Sequence, residues 1–267
     1  MLRDFFIRLK SGTEHLNYGR HVIEAWGGDH IRARAESDPA RTEFRLLDIG
    51  CGHGTDLLNI RESLQQNPPP GGKSPVLKLE GIENFSDYAK ECRSQGIKIS
   101  ARDIERDRFP GKNGSFDIII ANQVLEHVKE IFWIFAEVAR LLRPGGVFIA
   151  GVPNLASLHN RLLLLFGRQP TAQQSLSAHV RGFTRPDFKH FAETGDFFRL
   201  RDFRGSNFYP FGASISRPLS RAFPGAAWGI FFLLERTERA GSFLECLEGD
   251  ENFLETPFYG SPQNPAR

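Results

Sequence analysis

The 267-residue sequence has few cysteines, little net charge and no long apolar run. Its three cysteines, Cys51, Cys92 and Cys246, include no Cys-x-x-Cys pair, which argues against a disulfide framework or zinc centre and for a reducing compartment. A formal net charge of +2 gives no reason to expect a nucleic-acid partner. No segment approaches the roughly 20 apolar residues of a membrane span. The charged beginning lacks the apolar core of a signal peptide, so we expect a cytoplasmic protein.

Short apolar runs alternate with amphipathic segments over residues 45–154. Runs such as Arg45–Ile49 and Phe116–Gln123 are typical of buried parallel strands, whereas Thr55–Gln66 has the apolar spacing of a helix. Alternation of this kind, with helix-length connections, predicts an α/β fold in which helices cover both faces of an open parallel sheet.

Three glycines, Gly50, Gly52 and Gly54, occupy alternate positions between the first predicted strand and the first predicted helix. Ligands of open α/β sheets bind beyond the carboxyl ends of the strands, where this turn lies. Glycine there lets backbone N–H groups approach a ligand without an intervening Cβ. We therefore favour a binding site. The alternative is a tight turn without a ligand, for which one glycine would suffice.

The pattern Asp-x-Gly-x-Gly-x-Gly, from Asp48 to Gly54, resembles motif I of the class I S-adenosylmethionine-dependent methyltransferases. Further segments resemble later motifs of the methyltransferase-11/12-like branch, which is related to ubiquinone-biosynthesis O-methyltransferases: Leu79–Asn84, Ser100–Glu105, Phe116–Val128 and Leu141–Asn154. The resemblance implies a Rossmann-like, seven-stranded, mostly parallel sheet with N-terminal helices and a helical, aromatic lid. A nicotinamide-binding Rossmann protein is the main competing interpretation, although its fingerprint is Gly-x-Gly-x-x-Gly.

The resemblance also implies S-adenosyl-L-methionine as cofactor and assigns residues to it. Glu83 would accept hydrogen bonds from both ribose hydroxyls, because a carboxylate offers two acceptor oxygens. The other implied contacts are Asp48, Gly50, Cys51, Gly52, Gly54, Asn122 and Gln123 to the methionine part, Asn84 to the ribose, and Asp103 and Ile104 to the adenine. Tyr18 or Arg20, in the predicted N-terminal helical region, would close over the cofactor carboxylate. The alternative is that this helix serves only for packing.

Methyl transfer requires alignment of the reactants, and it requires a base only where the nucleophile carries a tightly held proton. His127, shortly after the predicted strand Phe116–Gln123, is the candidate catalytic base, and the alternative is a histidine with a structural role in the loop. His159 and His179 are further candidates. Ubiquinone-pathway relatives carry a Glu-x-x-Glu-His patch tied to a divalent metal, but Gln123 replaces the first carboxylate here. We therefore predict no metal site.

The expected function is transfer of a methyl group to a small-molecule acceptor, preferentially at oxygen. A catalytically silent, methyltransferase-like interaction module is one alternative, and a methyltransferase that acts on a lipid-like substrate through peripheral membrane contact is another. The acceptor and the oligomeric state do not follow from the sequence.

We expect a helical cap over residues 1–44, a methyltransferase domain over 45–240 and a peripheral tail over 241–267. Within the domain, segments 154–182 and 205–228 are predicted to form a lid over the acceptor. The first segment contains a leucine stripe at helical spacing, Leu155, Leu158, Leu162 and Leu165. The alternatives to a lid are that this stripe packs permanently on the sheet or lies on a membrane surface. Four arginines are expected to give the apolar acceptor cavity its polar anchors: Arg161, Arg168, Arg217 and Arg221.

Overall fold

The computed structural model describes residues 16, 18–70, 74–248, 257–261 and 264–266, in which a seven-stranded sheet lies between two layers of helices. The strands are Glu43–Ile49 (β1), Val76–Ile82 (β2), Lys98–Ser100 (β3), Phe116–Asn122 (β4), Leu142–Pro153 (β5), Phe198–Ser206 (β6) and Gly229–Arg236 (β7). The α-helices are Arg20–Ser37 (α1), Thr55–Gln66 (α2), Ser86–Ser94 (α3), Ile131–Leu141 (α4), Leu158–Leu165 (α5), Arg185–Glu193 (α6) and Ala213–Ala222 (α7).

The strand order β3-β2-β1-β4-β5-β7-β6 creates a single binding edge. Strands β1 to β5 are parallel, and β7 is antiparallel to both of its neighbours, β5 and β6. The carboxyl ends of β1 to β6 therefore meet at one edge of the sheet. Strands β2 and β3 lie on one side of β1, and the chain then crosses to the other side to form β4. The direction of strand order therefore reverses beside β1, and sheets of this kind bind ligands at such a point.

Two apolar clusters, one on each face, hold the helices on the sheet. One cluster packs α4 and α6 around buried aromatic side chains such as Phe135 and Phe188. The other packs α1 and α2 through residues such as Trp26, Ile60 and Phe231. Each fully buried large apolar side chain contributes about 1.5–3 kcal/mol relative to its exposed state. The predicted α/β architecture is confirmed, including the helical character of Arg20–Ser37 within the expected cap.

The alternating segment 97–104, Ile-Lys-Ile-Ser-Ala-Arg-Asp-Ile, predicts a longer strand than the structure contains. Only Lys98–Ser100 pairs with β2, because the backbone then turns and is held by side chains. Asp107 accepts a hydrogen bond from the Asp103 N–H at 2.9 Å, and Asp103 accepts one from the Glu105 N–H at 2.9 Å. Acidic side chains thus replace strand hydrogen bonds just beyond β3.

The leucine stripe after β5 does not pack on the sheet. Helix α5 covers only Leu158–Leu165, and Leu158, Leu162 and Leu165 are 40%, 49% and 77% exposed. Permanent packing of the stripe on the sheet is therefore wrong. Within the predicted peripheral tail, by contrast, Phe243 is fully buried in the cluster around α4. None of the described helices combines the length and apolar character needed to cross a membrane.

Candidate functional site

The three glycines after β1 all adopt left-handed backbone conformations, with φ of 67° at Gly50, 51° at Gly52 and 72° at Gly54. A Cβ on Gly50 would lie 2.8 Å from Val124 Cγ2, and a Cβ on Gly54 would lie 2.4 Å from Ile97 Cδ1. A Cβ on Gly52 would meet nothing within 4 Å. Packing therefore requires two of the glycines, whereas Gly52 faces open space that a ligand can enter.

Glu83 connects the end of β2 to the glycine turn. Its Oε2 accepts a hydrogen bond from the Gly52 N–H at 2.9 Å, and its Oε1 accepts one from the Phe85 N–H at 2.7 Å. These bonds fix the carboxylate beside Gly52 and leave further lone pairs for other donors. Asn84 is exposed, and its Nδ2 donates to the Arg102 carbonyl oxygen at 2.9 Å.

A buried carboxyl group that sequence reasoning missed, Asp56, lies at the centre of this edge. Its Oδ2 accepts a hydrogen bond from Asn122 Nδ2 at 2.8 Å, and the same nitrogen lies 3.0 Å from the Tyr18 carbonyl oxygen. The Arg20 Nε is 3.9 Å from Asp56 Oδ1. The available signal was an acid in the first turn of α2, directly after the glycines.

Three polar atoms at Asp56 are buried and have no hydrogen-bond partner among the described residues: Asp56 Oδ1, Arg20 Nε and Asn122 Oδ1. The same is true of Nε2 of Gln123, the residue after Asn122. A buried polar group without a partner costs about 1–3 kcal/mol, so a cluster of them indicates a place where a polar ligand is bound. Gln123 also has a left-handed φ of 57°, unusual for a residue with a side chain and frequent at functional sites.

The electrostatics of the edge favour a cation. Burial raises the pKa of Asp48 well above its usual range, and the nearby carboxylates of Asp56 and Glu83 raise it further, opposed by Arg20. Burial also raises the pKa of Asp56, against the hydrogen bond from Asn122 and the charge of Arg20. A positively charged ligand would therefore relieve repulsion among three neighbouring acids.

The remaining predicted cofactor residues flank this centre. Burial raises the pKa of the Cys51 thiol, which suits a packing role, and the Cys51 N–H lies 3.3 Å from the Ile82 carbonyl oxygen. Asp103 is exposed, whereas Ile104 is partly buried against the core. The Ser100 carbonyl oxygen, at the end of β3, accepts a hydrogen bond from the Glu83 N–H at 3.2 Å. Asp103 thus follows Glu83 along the same edge.

His127 lies in a short 3-10 turn after β4 and shares a cluster with Glu126 and His179. The His127 and His179 rings are 4.6 Å apart edge to face, and His127 Nε2 is 4.0 Å from Glu126 Oε1. Burial raises the pKa of Glu126 to about 7. The Glu126 carbonyl oxygen accepts the Val180 N–H at 2.9 Å, which joins the two loops. Glu126, His127 and His179 each place one atom that could coordinate a metal within 4.8 Å of the other two such atoms.

The other predicted polar residues divide into two groups. His159 lies apart from His127, with its Nδ1 3.1 Å from Ser157 Oγ and its ring 5.1 Å from that of Tyr209. Arg161 donates to the Ala156 carbonyl oxygen at 2.7 Å on the exposed side of α5. Arg217 and Arg221, in contrast, line one cavity beside α7.

The sheet order, the glycine turn and the acid after β2 are those of a class I methyltransferase-like protein. The methyltransferase domain family matches residues 18–199, more than half of the chain. The chain therefore belongs to this family.

Curated relatives include ubiquinone biosynthesis O-methyltransferases from several bacteria. The protein from Agrobacterium fabrum is 30% identical over 126 residues, which are 47% of this chain and 47% of that protein. The protein from Methylococcus capsulatus is 26% identical over 165 residues, covering 57% of this chain and 65% of the relative. The chain thus spans about half the length of the curated relatives it matches.

Solved structures support the fold. A chain of the complex between the Haloferax volcanii Trm112 methyltransferase activator and the putative methyltransferase superposes with a TM-score of 0.52. It is 12% identical, and the alignment covers 81% of this chain and 98% of that one. At such low identity the similarity is one of fold.

Proposed function

We propose that this protein is an S-adenosyl-L-methionine-dependent methyltransferase that acts on an oxygen nucleophile of a small molecule. The observation that carries the proposal is the group of unpartnered buried polar atoms around Asp56, next to the open space at Gly52. Family membership and the O-methyltransferase relatives point in the same direction.

The residues at the edge fit the proposed cofactor at both ends. Asp56 Oδ1 and Arg20 Nε form an ion pair at 3.9 Å but have no hydrogen-bond partner among the described residues, so they can still bind the ammonium and carboxylate groups of its methionine part. Glu83 retains acceptor capacity for a vicinal diol. The acids at positions 48, 56 and 83 suit the positive charge of a sulfonium. Asp103 and Ile104 are the proposed adenine contacts.

When bound, the cofactor supplies a methyl group activated by a positive sulfur. The protein then has to align the acceptor and exclude water, which lowers the barrier by up to about 7–11 kcal/mol where geometry is ideal. His127 Nδ1 lies 3.3 Å from the Ala178 carbonyl oxygen, which can only accept, so this nitrogen is the protonated one. His127 Nε2 is thereby left as the basic atom, with the Glu126 carboxyl group 4.0 Å away to stabilise an imidazolium.

The exposed leucine face of α5 supports the predicted lid over the acceptor. Leu165 and Phe166 are 77% and 76% exposed, an apolar surface that binding of an acceptor would cover. Hydrogen exchange tests this proposal: α5 should become protected when both S-adenosylhomocysteine and an acceptor are present. Protection that appears only with lipid vesicles would assign α5 to a membrane surface.

The proposed reaction is tested by incubating the protein with methyl-labelled cofactor and metabolite extracts. We expect a compound that gains about 14 Da, the mass of one methylene, at a hydroxyl group. His127→Ala should lower the turnover of that compound by about 10²–10⁴-fold, the usual contribution of a general base, with unchanged affinity for S-adenosylhomocysteine. His190→Ala, which removes an exposed histidine of α6 outside the proposed site, is the matched control and should retain wild-type turnover. Wild-type turnover in His127→Ala would make His127 a structural residue.

A further inference from the structure

A cavity of about 270 Å³, lined mainly by polar residues, lies between the start of α1 and helix α7, at the carboxyl end of β6. Its lining includes His21, Ser206, Asn207, Arg217 and Arg221. This lining is separate from the residues around Asp56 and from the cluster around His127. The cavity therefore requires its own explanation.

Arg217 and Arg221 are placed to act together. They are four residues apart on α7 and so share one helix face. Both side chains are exposed, and neither forms an ion pair or side-chain hydrogen bond with another residue of the described part of the chain. Two unpaired guanidinium groups in one cavity repel each other unless an anion binds between them.

The floor beneath the arginines is polar and fixed. Ser206 is buried and donates its hydroxyl to the Leu16 carbonyl oxygen at 2.6 Å, and Ser220 is buried and donates to the Ser216 carbonyl oxygen at 2.7 Å. Asn207 has a left-handed φ of 62°, and its Oδ1 accepts the Phe208 N–H at 2.8 Å. Ser216 of α7, also buried, donates its hydroxyl to the Phe211 carbonyl oxygen at 2.7 Å, which ties the helix that carries both arginines to the loop after β6.

Charge is distributed unequally along the binding edge. The proposed cofactor half contains the acids described above, whereas no Asp or Glu occurs between Asp202 and Glu235, the segment that contains α7. No acid occurs between Glu137 and Asp187 either, the segment that contains α5. Both segments that border the proposed acceptor region therefore carry positive charge only, which favours an anionic partner.

The cavity lies within reach of the proposed reaction centre. Asn122 of β4 pairs with β5, Pro153 of β5 pairs with Gly229 of β7, and Gly229 pairs with Ser206 of β6. Three strand spacings of ~4.8 Å give a separation of roughly 14 Å along the edge. An extended small molecule spans such a distance.

We propose that Arg217 and Arg221 bind a phosphate or carboxylate group of the methyl acceptor. That the bound molecule is the methyl acceptor rests on the proposed function, whereas the existence of the anion site does not. Arginine suits this role because its planar guanidinium group binds phosphate and carboxylate through paired hydrogen bonds. The acceptor is thus an anionic molecule whose charged end lies away from the nucleophile.

Binding of inorganic pyrophosphate to the full chain at constant ionic strength, measured by calorimetry, tests the site. We expect saturable binding that weakens at least five-fold in Arg217→Gln and in Arg221→Gln and disappears in the double variant. Arg199→Gln removes an exposed arginine near the amino end of β6, whereas the cavity lies at the carboxyl end of that strand. This variant should bind pyrophosphate as the wild type does. Absence of binding to the wild type, or equal weakening in Arg199→Gln, would overturn the proposal.

Two further measurements are needed. One distinguishes a lipid headgroup from a soluble molecule as the source of the anion, and the other tests the proposed function independently of the anion site. Co-sedimentation with phosphatidylglycerol vesicles that depends on both arginines would identify a lipid headgroup, whereas pyrophosphate binding without vesicle binding would identify a soluble acceptor. S-adenosylhomocysteine binding on the same samples tests the cofactor site. Its absence with intact pyrophosphate binding contradicts the proposed function alone, and the reverse result contradicts the anion site alone.

Discussion

Replacing Gly52 by alanine separates the needs of the fold from those of a ligand. The glycine has a φ of 51°, and an added Cβ would contact nothing within 4 Å of it in the protein. A left-handed alanine costs about 1–2 kcal/mol, partly offset by about 0.4–1 kcal/mol from the stiffer unfolded chain. The net loss of roughly 1 kcal/mol corresponds to a fall in Tm of about 2–4 °C for a chain of this size.

A matched control exists in Gly96, which has a φ of 82° and likewise no atom within 4 Å of an added Cβ. Gly96 lies just before the amino end of β3, whereas the proposed site lies at the carboxyl ends of the strands. Gly96→Ala should therefore lower Tm by a similar amount. Only Gly52→Ala should weaken binding of S-adenosylhomocysteine, by at least ten-fold or about 1.4 kcal/mol, because its methyl group occupies the space proposed for the ligand.

The assay combines thermal unfolding with calorimetric titration of S-adenosylhomocysteine into each folded variant. Gly54→Ala provides a contrast, because its Cβ would lie 2.4 Å from Ile97 Cδ1 and should destabilise the fold itself. Wild-type affinity in a folded Gly52→Ala protein would refute the reasoning. Equal loss of affinity in Gly96→Ala would refute it as well, since the effect would then be one of general stability.

Three further results are expected. Glu83→Gln should weaken S-adenosylhomocysteine binding by ~2–4 kcal/mol, because hydrogen bonds to a charged acceptor are lost, and unchanged calorimetric affinity would remove Glu83 from the site. Binding of the cationic S-adenosylmethionine should lower the raised pKa of Asp48, so protons should be released and affinity should rise with pH through that raised pKa. Calorimetry in buffers of different ionisation enthalpy measures the release, and proton uptake would contradict it. Methyl transfer should be unchanged by EDTA; its loss, with recovery on adding a divalent metal, would contradict this prediction and make Glu126, His127 and His179 the first ligands to test by mutation.

The sequence predicts the sheet and the glycine turn well, because both depend on local patterns. Apolar runs such as that ending at Ile49 identify buried strands, and alternate glycines directly after a strand indicate a backbone-lined site. Each is encoded within a dozen residues, so no knowledge of tertiary contacts is needed.

Residues that act through distant contacts could not be predicted in this way. Asp56 becomes part of the site only because Asn122, 66 positions away, donates to it. His179 joins His127 because the Glu126 carbonyl oxygen binds the loop that carries it. The exposure of the α5 leucines likewise depends on where the chain turns after β5, which helical spacing does not encode.

The most direct test of the central claim is a calorimetric titration of the wild-type chain with S-adenosylhomocysteine and, separately, with NAD. Both ligands contain an adenosine group, but only the first carries an amino-acid end that matches the charges of Arg20 and Asp56, whose Nε and Oδ1 atoms have no hydrogen-bond partner among the described residues. We predict stoichiometric, micromolar binding of S-adenosylhomocysteine and no binding of NAD. Binding of NAD without binding of S-adenosylhomocysteine would contradict the assignment of this edge to a methyl-donor cofactor.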